Sequence, residues 1–148
     1  MRILIAVSGT DDGSADVVTA AASFPWPRES VLRVITVGEQ VHPSVAELIP
    51  GGRDVADVQQ AADTRAGTIA ASSAAKLQDR GLNADSISRE GDPKTLILEE
   101  AKDWGADLIV VGSSDRSSIA KLMLGSVSQS VVTHAHCSVL VVRSGGSQ

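Results

Sequence analysis

The chain has 148 residues, 43% hydrophobic and 21% charged, with a formal net charge of −5 at pH 7. That length suits one domain whose core needs no disulfide or metal staple, and the composition excludes a disordered or fibrous architecture. The acidic balance, with Phe24, Trp26 and Trp104 as the only phenylalanine or tryptophan rings and no tyrosine, also argues against a basic, base-stacking platform for nucleic acid.

In chain order, Ile3 to Val7 is an aliphatic run that ends at Ser8-Gly9-Thr10, the pattern of a central parallel strand feeding a turn. After a single charge this apolar run is too short for a signal peptide or a membrane span, so a cytoplasmic protein without a membrane anchor is expected. Asp11, Asp12 or Ser14 can cap a following helix whose apolar face is Val17, Val18, Ala21 and Ala22. Phe24-Pro25-Trp26-Pro27 stops that helix, because proline cannot continue it and restricts the residue before it. A second strand is expected at Val31 to Val37.

Residues 38–54 carry Pro43, Pro50, Gly51 and Gly52 and read as a loop with one helical turn near Ser44 to Leu48. From Val55 the helical period returns through Val58, Ala62, Ala66, Ile69, Ala70 and Leu77, and stops before Gly81. Ala84 to Ser88 alternates weakly and reads as an edge strand. Asp92-Pro93 supplies an N-cap and a first-turn proline for a helix bearing Leu96, Ile97, Leu98 and Ala101. Leu108 to Val111 is a β-branched run of a strand buried on both faces, Gly125-Ser126 opens a last helix, and Val139 to Val142 is a last strand. Five strands alternating with four helices predict an open parallel α/β sheet with right-handed crossovers. Ser144 to Gln148 has no apolar anchor and is expected to be a disordered tail.

One segment carries a specific signature: Gly112-Ser113-Ser114-Asp115, then Arg116 through Leu124, then Gly125-Ser126. It resembles the universal stress protein family, whose nucleotide-binding members show glycine, two residues, glycine, nine residues, then Gly-Ser or Gly-Thr. The likeness extends over residues 1–143 through Ile3 to Thr10, Glu90-Gly91-Asp92-Pro93 and Cys137 to Val142. It implies a Rossmann-like five-stranded parallel sheet of order 3-2-1-4-5 with helices on both faces, and a homodimer paired through the last strands. An apolar edge strand at Val139 to Val142 needs covering on physical grounds as well.

With that strand order, winding reverses beside strand one, where open α/β sheets bind ligands at strand carboxyl ends. Gly9 and Gly112 fall there, with Ser113 following. Gly125, Ser126, Val127 and Ser128 fall at a helix amino terminus, whose unpaired N–H groups favour phosphate. By resemblance, those last four residues hold phosphates and Val37 contacts the nucleoside through its backbone. The implied ligand is ATP, with ADP or AMP as alternatives, and Mg2+ as a companion.

Two positions depart from the family pattern. Ser8 stands where nucleotide-binding relatives carry aspartate, and Asp115 stands where they carry glycine. A carboxylate ~6 Å from a phosphate charge costs roughly 0.7 to 2.8 kcal/mol for an effective dielectric between ~80 and ~20, against about 8 kcal/mol for a micromolar ligand. A magnesium ion bridging Asp115 to phosphate reverses that sign. Three readings follow: a nucleotide-binding regulatory module with at most weak ATP hydrolysis, a nucleotide-independent interaction protein with a degraded pocket, and a slow metal-dependent phosphohydrolase. No catalytic triad or activated cysteine can be assembled from the sequence. Arg116 and Lys121 are candidate phosphate neighbours, weighed against solvated surface charges. His134 and His136, two apart, do not share a helix face, which favours a surface role over metal binding. Cys137 reads as a small residue entering the last strand.

Overall fold

The structure, a computed structural model, describes residues 1–9, 14–38, 55–113 and 124–143. The described elements are β1 (Arg2–Val7), α1 (Ser14–Ser23), β2 (Val31–Gly38), α2 (Val55–Asp79), β3 (Asn83–Glu90), α3 (Pro93–Trp104), β4 (Leu108–Gly112), α4 (Ser126–His134) and β5 (Ser138–Val142). All strand pairs are parallel, in the order β3-β2-β1-β4-β5. The central strand β1 pairs Ile5 with Val34 on one side and with Val110 on the other.

The sheet separates two cores. On one face Ile3, Ile5, Val7, Leu32 and Val34 pack against Val17, Val18 and Ala21 of α1 and Ile69, Ala70, Ala74 and Leu77 of α2. On the other, Leu4, Ile35, Val37, Ile109 and Val111 meet Ile97 and Ala101 of α3 and Val131 of α4. Alternation along each central strand therefore feeds both layers, which is why its residues read as an unbroken apolar run.

Helix ends follow their predicted signals. α1 stops at Ser23, and the connection is pinned by Trp26, whose indole N–H donates to the Ala21 carbonyl (2.7 Å) while its ring lies 4.5 Å from that of Phe24. α2 ends two residues before Gly81, whose φ of +82° belongs to the left-handed region that glycine enters without strain. There the Leu82 N–H donates to the Leu77 carbonyl (3.2 Å), closing a six-residue C-terminal turn. Asp92 is the N-cap of α3 and Pro93 its first residue, but the Asp92 carboxylate accepts from the Thr95 hydroxyl (2.8 Å) rather than from a backbone N–H.

Only one charged side chain is buried among the described residues. Glu100 of α3, 5% exposed, receives Arg33 of β2 (3.0 Å) and Arg89 of β3 (3.1 Å). Arg33 also forks onto Asp85 (2.9 and 3.0 Å) and lies 4.5 Å from the centre of the Trp104 ring. The Asp85 hydrogen bond is the largest cause holding the Arg33 pKa above its ordinary value. This cluster ties α3 to the two strands at its outer flank. Of the loop expected at 38–54, Gly38 instead ends β2, paired in register with Glu90 at the end of β3; residues 39–54 and the caps Asp11 and Asp12 lie outside the described residues, as does the tail.

Candidate functional site

β1 has β2 on one side and β4 on the other, so the carboxyl ends of the three strands meet where winding reverses. Ser8 is exposed and Gly9 half-buried just beyond β1. Val37, 6% exposed, lies one residue past Thr36, the register partner of Val7. Gly112 ends β4, paired with Val142 of β5.

The main chain then fixes where α4 begins. Ser113 donates its N–H to the Val142 carbonyl (2.8 Å) and accepts the Gly125 N–H on its own carbonyl (2.9 Å). The two ends of the intervening segment are thus held together against β5. Gly125 is the N-cap of α4, with φ −64° and ψ 164° and no side chain to cap the helix. Its carbonyl accepts the first intrahelical bond, from Gln129 (2.9 Å). The N–H groups of Ser126, Val127 and Ser128 precede that bond and have no intrahelical acceptor, the arrangement that binds an anion.

Two of the predicted site residues also have packing or hydrogen-bonding roles within the chain. Ser128 is 2% exposed, and its hydroxyl donates inward to the Gly125 carbonyl (3.2 Å), so its N–H, not its hydroxyl proton, remains for an anion. A Cβ on Gly112 would lie 3.0 Å from Val17 Cγ2, so the missing side chain makes room for α1. Val127 is half-buried against the α3–α4 core, whereas Ser126 is exposed. Asp115, Arg116 and Lys121 lie outside the described residues.

A depression of about 200 Å3 lies away from these strand ends, lined by Leu98, Glu99, Lys102, His134 and His136. The two imidazoles share it because α4 ends at His134, which removes the helix-face argument against their meeting. Among the described residues no group of three histidine, cysteine or acidic side chains could hold a metal ion. Cys137 is half-buried; desolvation first and Asp107 second push its thiol pKa up. A second depression, about 150 Å3, lies at the end of β3 between Asp63, Ser88, Arg89 and Glu90.

Sequence reasoning missed Thr36, fully buried in β2 beside the site. The available signal was one hydroxyl inside the apolar run Val34-Ile35-Thr36-Val37. Among the described residues no helix is long and apolar enough to cross a membrane.

Fold and strand-end geometry together define a doubly wound α/β protein with an anion-favouring helix terminus at its winding reversal. Residues 1–143 match the universal stress protein family, and the chain belongs to that family. It is 36% identical over 151 residues to Universal stress protein A homolog 2 of Coxiella burnetii, covering 99% of this chain and 97% of that protein. It is 30% identical over 147 residues to Universal stress protein YxiE of Bacillus subtilis, covering 96% and 98% respectively. Among solved structures, hypothetical protein MJ0577 superposes with a TM-score of 0.80 at 21% identity, covering 99% of this chain and 97% of that one. A universal stress protein family protein from Arabidopsis thaliana with AMP bound gives 0.71 at 19% identity, covering 99% and 93%. The universal stress protein from Archaeoglobus fulgidus in complex with dAMP gives 0.65 at 19%, covering 96% and 97%. At these identities the solved structures establish a shared fold.

Proposed function

We propose that this chain is an adenine-nucleotide-binding regulatory module, cytoplasmic and homodimeric, with ATP as its first ligand and ADP or AMP as alternatives. The observation that carries the reading is the open amino terminus of α4, held beside the end of β4 by the Gly125-to-Ser113 hydrogen bond. The N–H groups of Ser126, Val127 and Ser128 hold phosphate, while Ser8, Gly9 and the Val37 main chain take the nucleoside. Gly112 and Ser113 form the floor between the two ends. Adenine nucleotides in two fold relatives support the choice of ligand. β5 supports the dimer: four of its residues, Val139 to Val142, are half-buried on an open sheet edge, and a two-fold mate pairs it.

Asp115 sets the dependence on metal. Were Mg2+ to accompany the nucleotide, the Asp115 carboxylate would be a ligand for it, and the ion's charge would offset the repulsion between carboxylate and phosphate. Calorimetry with ATP, ADP and AMP, with and without magnesium, tests the reading, and absence of binding at millimolar nucleotide would remove it. Asp115→Gly should tighten metal-free ATP binding by about 3- to 100-fold, the Coulomb cost converted to affinity. If the parent binds nothing and Asp115→Gly binds, the chain is instead an interaction protein with a lapsed pocket. Light scattering at micromolar concentration tests the dimer, which a monomer mass would contradict.

A further inference from the structure

Thr36 is 0% exposed, and its Oγ1 is the one buried side-chain polar atom without a hydrogen-bond partner among the described residues. The buried residues before it on its strand face, Leu32 and Val34, are apolar and belong to the core beneath α1 and α2, and Gly38 after it is buried against α2. Valine has the same β-branched shape, so packing alone would be served without a hydroxyl. Burying that hydroxyl unpaired is unfavourable, and such a group in a folded chain calls for a partner that the described residues do not supply.

Its position says which partner. Thr36 is in register with Val7 on one side and Ser88 on the other. The Cβ that Gly9 lacks would lie 3.4 Å from the Val37 carbonyl oxygen and 3.9 Å from Thr36 Cγ2, so no side chain from Gly9 stands between the β1 turn and Thr36. Gly9 and Val37 belong to the nucleoside end, whereas the amino terminus of α4 lies across β1, beyond β4. Thr36, whose methyl is its atom nearest Gly9, therefore lies on the nucleoside side of the site rather than beside the α4 terminus.

We propose that the Thr36 hydroxyl is a specificity-determining group for the nucleoside, hydrogen-bonded to an adenine ring atom or a ribose hydroxyl directly or through one water. This inference rests on the nucleotide reading of the same site. Contact requires the turn at Ser8 and Gly9 to shift outward, since Thr36 is covered. A hydroxyl both donates and accepts, so it can serve a ring nitrogen, an amine or a sugar oxygen.

The test uses the full chain as parent, Thr36→Val and Thr36→Ser, titrated with AMP and adenosine, with inorganic tripolyphosphate as a probe of the phosphate end. Thr36→Val should bind AMP and adenosine about tenfold more weakly, bind tripolyphosphate as the parent does, and melt no lower than the parent. Thr36→Ser should regain most of the AMP affinity, because the hydroxyl is restored. Parent-like AMP binding by Thr36→Val overturns the inference alone and leaves nucleotide binding standing. Equal loss of AMP and tripolyphosphate affinity also overturns it, since the hydroxyl would then shape the whole site. A parent that binds none of the adenine compounds removes the nucleotide reading and this inference together.

Discussion

Replacing Gly112 by alanine separates packing from ligand access at the end of β4. The new methyl would lie 3.0 Å from Val17 Cγ2, closer than the ordinary contact range of 3.4–4 Å. Val17 cannot turn aside easily: it is 4% exposed, and a helical valine has one strongly preferred rotamer. Overpacking of this kind costs about 1–3 kcal/mol, and at this chain length each kcal/mol lowers Tm by about 2–4 °C. Gly112→Ala should therefore melt roughly 2–12 °C below the parent. Val17→Ala alone loses two methyl groups from the core, again about 1–3 kcal/mol. Combined, the alanine at 112 occupies part of the space vacated at 17, so the double variant should be more stable than the sum by about 1 kcal/mol or more. Urea unfolding of the four proteins measures the coupling, and ATP calorimetry on the same samples supplies the functional arm. If Gly112 is small for the sake of α1, the double variant binds ATP as Val17→Ala does. Additivity within about 0.5 kcal/mol would refute the packing argument. Weak ATP binding in both proteins carrying alanine at 112 would return that glycine to the ligand.

Glu100→Ala should cost about 1–3 kcal/mol in urea unfolding, less than a fully buried pair, because Arg33 keeps Asp85 and Trp104 and both arginines reach solvent. A loss below about 0.5 kcal/mol would mean the cluster adds nothing net. Ser128→Ala should lose about 0.5–1.5 kcal/mol of stability while ATP affinity stays within about threefold, since the N–H survives. A large affinity loss without destabilisation would restore its hydroxyl to the phosphate. Cys137, its pKa raised above 9.0 in the folded chain, should be alkylated at pH 8 more slowly than a free thiol and gain reactivity in urea. The unfolded thiol ionises first, so this group's contribution to stability is present below about pH 9 and falls as pH rises through the folded pKa. Alkylation of the folded chain at the free-thiol rate would contradict that shift.

Features written in the main chain were legible in sequence, and features written in the register between elements were not. Gly81 and Asp92-Pro93 announce helix ends because backbone angles and missing donors are properties of single residues. The strand runs announce themselves because both faces are covered. Glu100 was invisible: nothing in the sequence sets its carboxylate apart from those of Glu99 and Asp103, and only the seating of α3 over β2 and β3 delivers Arg33 and Arg89 to it. Ser128 shows the same limit on a smaller scale. Its place at a helix amino terminus was clear, but the direction of its hydroxyl depends on the Gly125 carbonyl one turn back. His134 and His136 were judged on a continuing helix, and the chain leaves the helix between them.

The division between main chain and side chain also explains how the site can vary in occupancy without losing its place. Ser113 joins β4 to β5 and to the N-cap of α4 through its own N–H and carbonyl. No side chain takes part in those two bonds, so substitutions between 113 and 125 leave the anchor points intact. Among the described residues no side chain caps the three N–H groups at the start of α4. Under the proposed function, Asp115 would act by its charge and Ser8 by its reach at the other end of the ligand. A chain of net charge −5 gains no long-range pull on a polyphosphate, and at physiological salt such a pull fades within about 8 Å. Under the proposed function, affinity comes from contacts inside that distance: the α4 terminus for phosphate, the Gly9–Val37 main chain for the nucleoside, and the proposed contact of the Thr36 hydroxyl.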